Sequence, residues 1–134
     1  MPVQTIKDLC LVVGAALVAT GVAAAEPIGA MARLAPALGN VIVSTHPDGR
    51  QARLWLRRDG SWAAQGRAGN RSAGTWKIRG EKLCLKQRTP VQIPIAYCKP
   101  VPAEGVDKQW RDVAVNGDQV TNEIVRASKG DARQ

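Results

Sequence analysis

Ser44, His46 and Asp48 place a hydroxyl, an imidazole and a carboxylate within one short stretch, STHPDG. Together those groups could serve a nucleophile, a general base and its orienting acid. Neighbours on a single turn rarely reach the geometry such a triad needs, and no strand-to-helix nucleophile elbow surrounds Ser44. His46 is the single histidine of the chain. Sitting ahead of Pro47, it reads as an exposed turn residue. Most carboxylates lie in turns or near the C-terminus, so no acid–base pair can be built from them. No phosphate-binding glycine loop, calcium loop or zinc-type spacing is present. The expectation is a protein that is not an enzyme and that uses no cofactor or metal.

Cysteine chemistry depends on where the chain resides. Residues 1–25 carry a short polar start with Lys7 and Asp8, then the uncharged run LCLVVGAALVAT from Leu9 to Thr20. That run is shorter than the about 20 residues of a relaxed membrane span. The small residues Ala23-Ala24-Ala25 follow it, as signal peptidase requires. The segment is therefore expected to be a cleaved signal peptide, with an uncleaved anchor as the alternative. The mature chain, from Glu26, is expected in the periplasm or secreted, with no stable membrane span after cleavage. In that oxidising setting Cys84 and Cys98 are expected to form a structural disulfide. A redox or metal pair is disfavoured by the lack of a C-x-x-C spacing and of histidines.

The chain has 19 Lys and Arg against 11 Asp and Glu, a formal charge of +8. Loss of the leader removes one charge of each sign and leaves the balance unchanged. Such a domain favours anionic company, and anionic polysaccharide or lipopolysaccharide fits an exported protein. Nucleic acid is disfavoured by the export signal and by the absence of a recognition motif. Plain solubility is the competing explanation, because the basic residues are scattered over several strands rather than clustered.

From Asn40 onward the chain alternates apolar and polar residues, with turn residues at short intervals. Strands are expected over 40–45, 52–57, 61–66, 75–79, 82–87, 95–99, 110–115 and 119–127. Asp48-Gly49, Asp59-Gly60 and Gly69-Asn70 mark turns, and Asn116-Gly117 is a strong two-residue hairpin signal. Segment 26–39 reads as an arm or short helix broken at Pro36, and 128–134 as a flexible tail. The fold class is all-β: a single antiparallel meander of about eight short strands, residues 40–127, curled into a small barrel or bent sheet. There is no Phe, one Tyr and four Trp: Trp55, Trp62, Trp76 and Trp110. One per strand, they are expected to be core pillars rather than an exposed sugar-stacking ring. Within AGTWKIRGEKLCLKQ (73–87), Trp76 and Ile78 face inward while Lys77 and Arg79 face outward.

Pro47-Asp48-Gly49-Arg50, Asp59-Gly60, the run from Gly74 to Leu85 (GTWKIRGEKLCL) and the later Cys98 together resemble a family. Its members are small exported alphaproteobacterial proteins of unknown function with a lipocalin-like sheet and one disulfide. The resemblance covers about half of the chain and implies an accessory role at the cell envelope. The chain is more distantly similar to small periplasmic barrels that inhibit proteases or lysozyme. The expected function is thus a non-enzymatic periplasmic or secreted domain that binds an anionic envelope component or a protein partner. Arg53, Arg57, Lys77 and Arg79 are its candidate contacts. A periplasmic hydrolase inhibitor, with residues 26–38 as the inserted arm, is the alternative. A small-ligand carrier with an apolar interior is a third reading.

Overall fold

The computed structural model describes Gly21, residues 29–102 and residues 105–131. The expected leader, apart from Gly21, lies outside the described residues, as do residues 26–28 and 132–134. Eight strands form one antiparallel sheet: β1 (Val41–Thr45), β2 (Gln51–Leu56), β3 (Ser61–Gln65), β4 (Arg71–Arg79), β5 (Lys82–Thr89), β6 (Tyr97–Pro100), β7 (Gln109–Val113) and β8 (Gln119–Val125). Their order in space is β6-β5-β4-β3-β2-β1-β8-β7. The expected all-β architecture is present. β1 to β6 follow one another as a meander, and the β7–β8 hairpin folds back so that β8 lies against β1. The sheet curls into a half-barrel whose outer strands are β6 and β7.

Four hairpins share one turn design. His46 N–H donates to Arg50 O, and Gly49 N–H donates back to His46 O. The same pair of bonds recurs at Arg57–Ser61, Gly66–Asn70 and Ala114–Asp118. Each turn needs a left-handed residue at its fourth position, filled by Gly49, Gly60, Gly69 and Gly117 at φ of 81°, 86°, 88° and 89°. A type I turn closed by a left-handed glycine suits the twist of the flanking strands. The Asn116-Gly117 connection is therefore this longer turn, not the two-residue hairpin expected from the sequence.

Alternation along the strands sends Ile42, Leu54, Leu56, Trp62, Trp76, Leu83 and Ile124 to the concave face. At one pole a helix, α1 (Ala30–Leu34), and the 3-10 turn that follows it over Ala35–Ala37 close the curl. Ala30, Leu34, Ala37 and Leu38 are buried there with Leu56, Trp76, Val101 and Ile124. Leu34 and Ile124 are wholly buried. Gly39 N–H then donates to Leu56 O at 3.0 Å, which sets the entry into β1. Among the described residues the opposite pole has no such plug.

Both core indoles find backbone partners. Trp76 Nε1 donates to Arg57 O at 2.8 Å, and Trp62 Nε1 donates to Thr75 O and Lys86 O at 3.0 and 3.2 Å. The Trp62 indole packs over Gly74, where the ladder between β4 and β5 shifts register. A Cβ at Gly74 would sit 1.8 Å from the Lys86 carbonyl oxygen, so no side chain fits there. The four tryptophans do not form one core. Trp62 and Trp76 are concave, Trp110 is partly buried against the same cluster, and Trp55 packs on the convex face with Val41 and Val43.

Cys84 and Cys98 are directly opposed in the β5–β6 ladder and form the expected disulfide. β6 is a four-residue edge strand with one pairing neighbour, so the bridge is its main tether. Closing a loop of this length is worth about 3 kcal/mol in the chain-entropy account. Cys84→Ser/Cys98→Ser is therefore expected to lower unfolding free energy by about 3 kcal/mol in a urea titration. Hydrogen exchange is expected to show β6 opening first, with β1–β4 protected as before.

Candidate functional site

The unplugged end of the concave face is a cleft of about 420 Å³. Its floor is apolar, formed by Ile42, Leu54, Trp62, Leu85, Trp110 and Val120. These residues come from β1, β2, β3, β5, β7 and β8, so the curvature of the sheet, not any local motif, builds the cavity. The apolar surface continues to the mouth through Ile93 and Ile95, from the β5–β6 loop, and Val115, from the β7–β8 turn. Loop 90–96 carries Pro90 and Pro94, which cannot donate to a ladder, and its aliphatic side chains stay exposed.

A polar chain borders this floor. Ser44 Oγ donates to Asn122 Oδ1 at 2.6 Å, Asn122 Nδ2 donates to Asp112 Oδ2 at 3.2 Å, and Asp112 Oδ1 lies 2.7 Å from Lys99 Nζ. Lys99 also donates to the Val113 carbonyl. Lys99 belongs to β6, whereas Asp112 and Val113 belong to β7. This single ammonium spans the seam where the two outer strands face each other without a ladder.

A second polar group lies at the mouth. His46 Nδ1 is 2.9 Å from Asp118 Oδ2, and Arg67 Nη1 is 2.7 Å from Asp48 Oδ2 and 3.9 Å from Asp118. The hydrogen bond from His46 holds the Asp118 carboxyl below the usual aspartate range, helped by Asn116 and by the Arg67 charge. The Asp48 carboxyl is likewise lowered, first by the Arg50 backbone N–H and then by the Arg67 charge. His46 is 8% exposed, so the expectation of a solvent-facing turn histidine is wrong: β1 carries its ring inward, and the β7–β8 turn supplies Asp118. No sequence proximity links those two residues. Ser44, His46 and Asp48 engage three different partners and are not joined as a triad.

The four candidate contacts all take convex positions, yet they do not converge. Arg53 on β2 and Arg57, just past its end, flank Trp55. Arg53 lies close enough to lower the Asp131 carboxyl, behind the larger effect of Ser128, and Arg57 donates to Ser61 Oγ. Lys77 and Arg79 stand on β4, with the uncharged β3 residues Ser61, Ala63 and Gln65 between the two pairs. Their nearer cationic neighbours are on β5: Arg79 is opposite Lys82, and Thr75 is opposite Lys86. Lys77, Arg79, Lys82, Lys86 and Arg88 are exposed and make no ion pair among the described residues.

The convex face also holds a contact that the sequence pattern leaves hidden. Trp55 Nε1 donates to Asp131 Oδ1 at 3.0 Å, and Ser128 fixes that carboxylate through its N–H and hydroxyl at 2.7 and 2.8 Å. Ala127 N–H donates to Asn40 Oδ1 at 3.2 Å. The segment 127–131 thus folds back over the apolar patch of Val41, Val43 and Trp55.

Among the described residues there is no group of three or more His, Cys, Asp or Glu able to hold a metal ion. No helix among them is long and apolar enough to cross a membrane. Compared with protein-family models, with curated proteins and with solved structures, the chain shows no significant match.

Lowered aspartate pKa values predict the sign of the acid response. Such a group stabilises the fold above its unfolded value, near about 3.9, and loses that contribution as pH falls through its folded value. From these aspartates the urea midpoint is expected to fall as the pH drops below about 4. Asp118→Asn is expected to lower stability at pH 7 and to make the acid fall shallower; an unchanged acid slope would mean that the His46 contact contributes nothing.

Proposed function

We propose that the protein is a non-enzymatic binding domain of the cell envelope whose cleft takes the apolar part of a small amphiphilic molecule. One observation carries this reading: a cleft of about 420 Å³ with a predominantly apolar lining and a few polar groups. Small-molecule sites typically occupy roughly 300–1,000 Å³ and combine an apolar lining with a few placed polar groups. Lys99, Asn122 and His46 are the polar groups that a ligand head would meet at the border.

The test is a titration with an environment-sensitive apolar fluorophore, paired with native mass spectrometry of the freshly purified protein. Saturable binding is expected for the natural chain. Ala64→Trp, which sets an indole on the cleft floor, is expected to weaken it at least tenfold at an unchanged melting temperature. Equal binding by both chains would remove the cleft from consideration.

A second reading, an anionic polysaccharide or lipopolysaccharide bound on the convex side, is supported by the cross-strand register of β4 and β5. That register puts Lys77, Arg79, Lys82 and Lys86 on one exposed face. Four like charges on a two-stranded ribbon favour a polyanion, with an attraction that salt screens. Retention on an anionic polysaccharide column is expected to fall with salt, and Lys77→Glu/Arg79→Glu should elute clearly earlier. Absence of retention at low salt would exclude this surface. The inhibitor reading loses support, because Ala30, Leu34, Ala37 and Leu38 are spent in the core and could not enter a target without unplugging the half-barrel.

A further inference from the structure

We infer that the open pole of the half-barrel is a docking surface for an anionic lipid surface. Val91, Ile95 and Val115 are 67%, 79% and 81% exposed, and Ile93 and Tyr97 beside them are 43% and 40% exposed. They arise from two loops far apart in sequence, and Ile93, Ile95, Tyr97 and Val115 all border the cleft mouth. Branched aliphatics this bare, gathered at one end of the molecule, mark an interaction surface rather than scattered surface apolarity.

The charges at the same pole select the partner. Strand directions bring Arg50, Arg67, Arg71 and Arg88 to this end. Asp48 pairs with Arg50 and Arg67, and Asp118 lies 3.9 Å from Arg67, so four cations against two carboxylates leave an excess of two positive charges. Apolar side chains that enter the headgroup boundary, ringed by arginines that meet anionic headgroups, form the two-part contact by which proteins lie on membranes. A second copy of the chain fits less well, because it would set one arginine ring against another on molecules of formal charge +8. The orientation places the cleft mouth on the lipid, so an amphiphile could pass between bilayer and cleft without crossing water. Docking itself does not require a loaded cleft and stands apart from the function proposed above.

The experiment is sedimentation of the full chain with vesicles of mixed phosphatidylglycerol and phosphatidylcholine. Binding is expected to the anionic vesicles and at least tenfold weaker to phosphatidylcholine alone. Ile95→Asp/Val115→Asp should lower the partition coefficient at least tenfold with an unchanged melting temperature. Lys82→Glu/Lys86→Glu, on the convex face, should lower it less than threefold. Orientation is read by bromolipid quenching of an added indole: Val115→Trp should gain quenched emission, and Lys82→Trp, near the plugged pole, should not. Partition of the Ile95/Val115 variant equal to that of the natural chain would overturn the inference, as would quenching confined to Lys82→Trp. No binding to anionic vesicles, with a concentration-dependent dimer that Ile95→Asp/Val115→Asp dissolves, would assign the pole to a second copy instead.

Discussion

Burial of the short helix against Leu56, Trp76 and Ile124 is the interaction on which the rest of the half-barrel depends. A single sheet whose concave face is apolar needs cover for that face. Here the cover is small: a five-residue helix and a three-residue 3-10 turn, placed at one pole. Where Leu34 and Leu38 reach, the concave face is buried and packed. Beyond them the same face remains a lined cavity. The cleft is thus the complement of the plug, and its apolar floor is core that the helix does not reach.

Topology sets the second constraint. β8 pairs with β1, so the last strand of the sheet is joined to the first and the interruption falls between β6 and β7. These two strands would be free edges, which proteins ordinarily protect. The protection here is covalent on one side and ionic across the gap. The disulfide fixes β6 to β5, and Lys99 reaches from β6 to Asp112 and the Val113 carbonyl. Because Asp112 also accepts from Asn122, which accepts from Ser44, the seam is tied to β8 and β1 as well. The polar border of the cleft is at once the fastening of the half-barrel.

Much of this was legible residue by residue. Period-two alternation placed Trp76 and Ile78 inside and Lys77 and Arg79 outside, and two cysteines in adjacent expected strands implied their bond. The turns were legible as turns but not as a type: Asn-Gly signals a tight hairpin, yet the hydrogen-bonding partners of Ala114 and Gly117 make it the longer form shared by the other three. His46 was misread because its burial depends on Asp118, seventy-two residues away, and on a strand neighbour that local pattern cannot identify. Trp55 shows the same difficulty. Its arginine neighbours mark an outward face, and the segment that covers it comes from the other end of the described chain.

By itself, the sequence determined the strand content, the disulfide pair, the positive charge and the absence of any catalytic motif. These follow from local alternation, turn chemistry and composition, none of which needs a distant partner. Only the tertiary structure decided which apolar residues stay uncovered, which polar groups meet, and at which end of the molecule the cleft opens. Those outcomes depend on how far eight strands curl and on where a helix of five residues comes to rest. Curvature and cover are sums over contacts distant in the chain, so no single stretch encodes them.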